Sequence, residues 1–207
     1  MRRAPRVIGW LRLWVLAAAS LLALGLRADE IGLVDARLRE AEEGLVLDAD
    51  FAIELNPRLS QAVASGVALY FSVEFEFTRP RWYWFDQKLG HRRLQLRLSH
   101  HAVSRQYRLS SGSLQQSFST LSDALEVLRR VRGWLVIERA ALEVDAPYEA
   151  ALRMRLDPSL LPRPIQVSAL TSGEWNLDSG WKRMKYRTPQ QAPAPVESRE
   201  QRGVPTQ

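Results

Sequence analysis

Glu74 and Glu76 are the residues whose types and spacing come nearest to a known chemistry. They lie two apart in LYFSVEFEF, residues 69–77, and side chains two apart on a strand share a face. At strand rise their Cα atoms stand roughly 6.5–7 Å apart, near the carboxylate spacing of inverting glycoside hydrolysis. Any solvent face of an antiparallel strand offers the same spacing. Histidine offers less. Only His91, His100 and His101 occur, and neighbours on a strand face opposite ways, so His100 and His101 do not readily close on one ion. Cysteine is absent, which excludes disulfides, thiolate metal sites and a Cys nucleophile. The serines gather in polar turns such as SSGS, 110–113, and neither GxSxG nor a phosphate-binding glycine loop occurs. No catalytic residue, metal or cofactor is assigned.

Aromatic surface is the other candidate. RPRWYWFDQK, residues 79–88, runs four aromatics together. On an extended chain Trp82 and Trp84 face one way, Tyr83 and Phe85 the other. One set belongs to the core. The other is either covered by the chain itself or exposed, bordered by Arg79, Arg81 and Asp86, where it would stack on a sugar, a peptide or a partner protein. If the preceding strand continues past Pro80, Tyr83 and Phe85 keep its inward phase; a bulge at Arg79 and Pro80 would exchange the faces. The candidate binding residues are therefore Arg79, Arg81, Trp82, Trp84 and Asp86, with Trp175 and Trp181 as a second group.

The elements that must position these residues alternate at period two. Leu45, Leu47, Ala49, Phe51, Ile53 and Leu55 read as one strand, reached by a turn at Glu42, Glu43 and Gly44 from an earlier strand with Val34, Ala36 and Leu38. Leu69, Phe71, Val73, Phe75 and Phe77 repeat the pattern, as do Leu94, Leu96 and Leu98, and Tyr148, Ala150, Leu152, Met154 and Leu156. Val103, Arg105, Tyr107 and Leu109 read as a further strand ending at a Ser111–Gly112 turn. Residues 134–137 are uniformly apolar, as in a central strand buried on both faces. Two segments turn helical: one after an Asn56–Pro57 start, with Leu59, Ala62 and Val63 on one face and a stop at Gly66. The other follows a Thr120 cap, with Leu121, Ala124, Leu125, Leu128 and Val131 in one stripe, and Arg129, Arg130 and Arg132 as a solvated helix end. The fold class expected is mainly β: an antiparallel β-sandwich or strongly curved sheet of about eight strands with two short helices.

The termini set the context. Arg2, Arg3 and Arg6 precede a 14-residue run, 13–26, that is apolar apart from Ser20. That suits an export signal and is short for a membrane span, which needs roughly 20 residues. Residues 1–28 are read as a signal peptide or an uncleaved N-terminal anchor, residues 29–187 as one mostly-β domain and residues 188–207 as a disordered Pro/Gln-rich tail. The full chain has 29 basic and 23 acidic residues, but five of the arginines lie in the first 28, leaving 24 against 23. The net charge therefore gives no support to nucleic-acid binding.

Three segments resemble the DUF4390 family of bacterial proteins: YFSVEFEFTRPRWYWFDQK, LSHHAVSRQYRLSSGSLQQSFSTLSDAL and ALTSGEWNLDSGW. The resemblance implies an exported envelope protein of Gram-negative bacteria and carries no activity or catalytic residue to transfer. Members can lie beside genes for a two-component sensor kinase and its regulator, an association by position with envelope signalling. The expectation is an exported periplasmic, non-enzymatic binding or interaction module. Its partner would be an envelope protein or cell-wall component and not nucleic acid, with membrane contact only through the N-terminal segment if uncleaved. The alternatives are a glycan or small-molecule binder using the aromatic face, and a hydrolase using Glu74 and Glu76.

Overall fold

The computed structural model describes residues 31–81 and 86–189. The expected export segment, residues 82–85 with Trp82 and Trp84, and the chain after residue 189 lie outside the described residues. Two antiparallel sheets pack on one core. The smaller has the order β1-β2-β7, from β1 (Gly32–Ala41), β2 (Gly44–Ala52) and β7 (Arg130–Glu138). The larger is built from β3 (Leu69–Arg79), β4 (Gln87–His101), β5 (Gln106–Ser111), β6 (Leu114–Phe118), β8 (Pro147–Leu156) and β9 (Lys182–Arg187). Its order is β6-β5-β4-β3-β8-β9.

Alternation produces the core directly. Phe71, Val73, Phe75 and Phe77 of β3 are fully buried, and the even-numbered side of β8, from Tyr148 to Leu156, joins them. The register sets these faces together: Phe71 opposes Leu96 on one side and Leu156 on the other, and Phe75 opposes Leu152. From the smaller sheet Leu45, Leu47, Ala49 and Phe51 close the sandwich. The Phe77 ring stacks on Tyr148, centroids 4.8 Å apart.

Both expected helix starts form. Asn56 Oδ1 accepts from the Leu59 N–H at 2.8 Å and opens α1 (Pro57–Ala64). Thr120 Oγ1 accepts from the Asp123 N–H at 3.1 Å and opens α2 (Leu121–Leu128). Gly66, with φ of +92°, follows α1.

The structure corrects several readings. The described residues form nine strands, and a third helix, α3 (Arg163–Thr171), packs Ile165 and Ala169 against the core. β7 is not central but an edge strand: Trp134 and Leu135 are only half-buried, because nothing pairs with its second side among the described residues. Val103 and Arg105 lie in a turn, with Val103 91% exposed and Arg105 at φ +51°. Arg129 and Arg132 are not a solvated helix end. Arg129 donates to the Ile53 carbonyl and Arg132 to the Ala49 carbonyl, tying the exit of α2 to β2. Thr188, placed in the tail, is buried; its hydroxyl donates to the Glu143 carbonyl at 2.6 Å and accepts from the Ala146 N–H at 3.0 Å.

Phe75→Ala is expected to cost about 3–5 kcal/mol through the cavity it leaves. A lower urea midpoint at unchanged slope would show it, and an unchanged midpoint would count against the core described. Gly44→Ala is also expected to destabilise, because a Cβ there would stand 2.0 Å from the Ile137 carbonyl oxygen at φ +148°.

Candidate functional site

Three places hold the residues that could act. The first is the β3–β4 hairpin. Arg79 pairs with Glu143, the Arg81 guanidinium donates to Gln87, and the Arg81 N–H reaches the Asp86 carboxylate at 3.4 Å. Arg79, Arg81 and Asp86 thus brace the hairpin and its neighbour before they meet any ligand. A register irregularity does occur in this hairpin, but not at Arg79 and Pro80. The irregularity falls between Phe77 and Thr78, whose partners are Gly90 and Lys88, so the extra residue is Leu89 on β4.

The two other tryptophans do not join that hairpin in one surface. Trp175, expected as a contact residue, is 4% exposed and belongs to the core, where its indole Nε1 has no hydrogen-bond partner among the described residues. The apolar ring outweighs the lost hydrogen bond in that setting. Trp181 is exposed, with the Arg153 guanidinium 5.9 Å from its ring centroid.

The second place is the outer face of the larger sheet, where Glu74 and Glu76 point. Glu74 is 5% exposed, not solvated, because arginines from both flanking strands lie over it. Arg93 of β4 reaches its Oε1 at 2.9 Å and Arg155 of β8 at 3.3 Å. These partners occupy lone pairs that a general acid or base would use. Beside it Arg153 binds Asp178 by two nitrogens and, with the Gly180 N–H, holds that carboxyl below the usual carboxylate range. The Ser72 hydroxyl lies buried on this face without a partner among the described residues. Among those residues no three His, Asp or Glu side chains gather as a metal ion would need, and no helix is long and apolar enough to cross a membrane.

The third place was hidden from the sequence reading. At one end the sheets meet: a Cβ on Gly90 would stand 2.5 Å from Ile137 Cδ1, and Arg92 pairs with Glu138 at 2.9 Å. Further along, a groove of about 440 Å³ opens between β7 and the β4–β6 side of the larger sheet. Leu94, Leu96, Leu109 and Leu114 line one wall; Val127, Val131 and Trp134 line the other. Arg130 and Arg132 stand at its rim, already paired with Glu126 and Asp50. Leu114 is 72% exposed. The uniform apolar run 134–137 was the available signal, but it reads as burial when strand order is unknown.

The DUF4390 family, a domain of unknown function, matches residues 28–185. The chain belongs to that family. The match extends from before β1 into β9, so the DUF4390 domain comprises both sheets and all three places. No curated protein and no solved structure matches the chain.

Within this DUF4390 domain the carboxylates set an acid limit. Asp178, through Arg153, and Asp48, through Arg39 and the Gly133 N–H, are both held below the usual carboxylate range. A depressed folded value stabilises above the unfolded one and loses that contribution as pH falls through the folded one. Asp178→Asn should therefore cost about 1–2 kcal/mol at pH 7 and narrow the stability difference between pH 7 and pH 3. Urea midpoints at the two pH values measure this; an unchanged difference would contradict it.

Proposed function

We propose that the chain is an exported, non-enzymatic binding module of the cell envelope, which takes an extended apolar segment of a partner protein into the groove beside β7. The observation that carries this reading is the coincidence of an apolar groove with an unpaired strand edge. Among the described residues β7 has a strand neighbour on one side only, and Leu94, Leu96, Leu109 and Leu114 lie across the groove from it. Strand addition uses both features: main-chain hydrogen bonds to the edge give affinity, and alternate side chains enter the apolar wall. The half-buried Trp134 supplies the large flat contact that such sites favour.

Support for export comes from the arginine-led apolar segment at the N-terminus and the near balance of charge after it. Support for a non-enzymatic role comes from Glu74, whose carboxylate is engaged by Arg93 and Arg155. A second reading, a small apolar ligand in the same groove, is favoured by its volume of about 440 Å³, which falls in the range of small-molecule sites.

Calorimetric titration with extended peptides of alternating Leu and Thr tests the leading reading. Wild type and Val144→Arg, a change at a position exposed elsewhere, should bind alike. Leu114→Arg should weaken binding by about tenfold or more. Equal affinity of all three proteins would remove the groove from the assignment. Binding of fatty acids without peptides would move it to the second reading. Sequencing the N-terminus of the protein recovered from cells decides cleavage after Ala28.

A further inference from the structure

The outer face of the larger sheet carries a surplus of positive charge that no described carboxylate neutralises. Arg108 on β5, Arg93 and Arg97 on β4, Arg153 and Arg155 on β8, and Arg183 and Lys185 on β9 share this face by register with outward-facing β3 residues or their neighbours. Against these seven stand Glu74, Glu76, Glu149 and Asp178. Arg97, Arg108 and Lys185 form no ion pair among the described residues, and the buried Nε of Arg108 has no hydrogen-bond acceptor. Exposed cationic groups without a carboxylate partner, such as those of Arg97 and Lys185, are open to further oxyanions.

We propose that this face docks on an anionic phospholipid surface, with headgroup phosphates meeting Arg97, Arg108 and Lys185. Its breadth is the first reason. The cations extend from β5 to β9, four strand spacings or about 19 Å, which suits a planar array of phosphates better than one small anion. Its chemistry is the second. Ser72, Gln95, Ser99 and Ser110 lie among the cations, and Tyr70 lies under the Arg97 guanidinium, so the face is more polar than the centre of a protein–protein interface. The third is Trp181, exposed at the border of the face against Arg153, the residue type and placement that settle at a headgroup layer. The choice of lipid over nucleic acid rests on the exported reading proposed above. The contact differs from the one expected from the sequence, which placed any membrane contact at the N-terminal segment.

Co-sedimentation of the mature chain, as processed in cells, with vesicles tests the proposal. Vesicles of phosphatidylcholine with about one-third phosphatidylglycerol should bind it and pure phosphatidylcholine should not; binding should fall steeply between about 0.1 and 0.5 M salt. Arg97→Glu/Arg108→Glu should lower partitioning by about tenfold or more. Arg37→Glu/Arg163→Glu makes the same change of net charge away from the face and should leave partitioning near wild type. If the first pair does not fold, by its urea midpoint, Arg97→Gln/Lys185→Gln is the milder variant and should still weaken binding severalfold. Equal binding to both vesicle types, equal loss in both charge-reversal pairs, or binding to polyglutamate or duplex DNA but not to vesicles would each overturn the proposal. N-terminal sequencing separates failure of the export reading from failure of this one.

Discussion

β3 is committed on both of its faces, and the rest of the domain is arranged around that commitment. On one side Phe71, Phe75 and Phe77 are fully buried between the sheets. On the other, Ser72 and Glu74 are also buried, beneath arginines supplied by β4 and β8. A shift of one residue would press three phenylalanines against guanidinium groups and carry Glu74 into the apolar core. Register is therefore determined twice, by apolar burial and by charge. Both neighbours of β3 are held to the same phase, as the pairing of Phe71 with Leu96 and Leu156 shows.

The unequal size of the two sheets follows from what each can cover. Three strands cannot roof six, so the β4–β6 side of the larger sheet overhangs. α2 fills part of that space with Ala124, Leu125 and Leu128. What it leaves is the groove beside β7. Further along β7, Gly90 of β4 and Ile137 come close, so that a Cβ on Gly90 would displace the end of the Ile137 side chain. The groove is thus a consequence of architecture, and a binding role is the use proposed for it.

Charge is sorted between the two outer faces in a way the whole-chain balance conceals. On the smaller sheet Asp48 and Asp50 meet Arg39 and Arg132. On the larger sheet Arg97, Arg108 and Lys185 form no ion pair among the described residues, although Glu74 and Asp178 are satisfied. Tyr186 adds a link between the sheets: its hydroxyl donates to Glu40 at 3.2 Å, and burial with that neighbouring carboxylate pushes it up to about 12.

The mainly-β character, the two capped helices and the inward sides of β2, β3, β4 and β8 were legible in the sequence, because period-two alternation and Asn or Thr caps are local signals. α3 was not, since its nine residues, Arg163–Thr171, follow Leu161 and Pro162 rather than an Asn or Thr cap. The site was legible only in pieces. Alternation put Glu74 and Glu76 on one face, and Arg93, Gln95 and Arg97 on another, but only strand pairing brought those faces together and turned a solvent-facing carboxylate into a buried ion pair. Trp175 read as a contact residue and became core, while Trp134 read as core and became the wall of a groove. By itself the sequence determined which side chains share a face, because that depends on chain geometry over a few residues. The tertiary structure decided which faces meet, because strand order and the ratio of three strands to six are set by contacts between segments far apart in the chain.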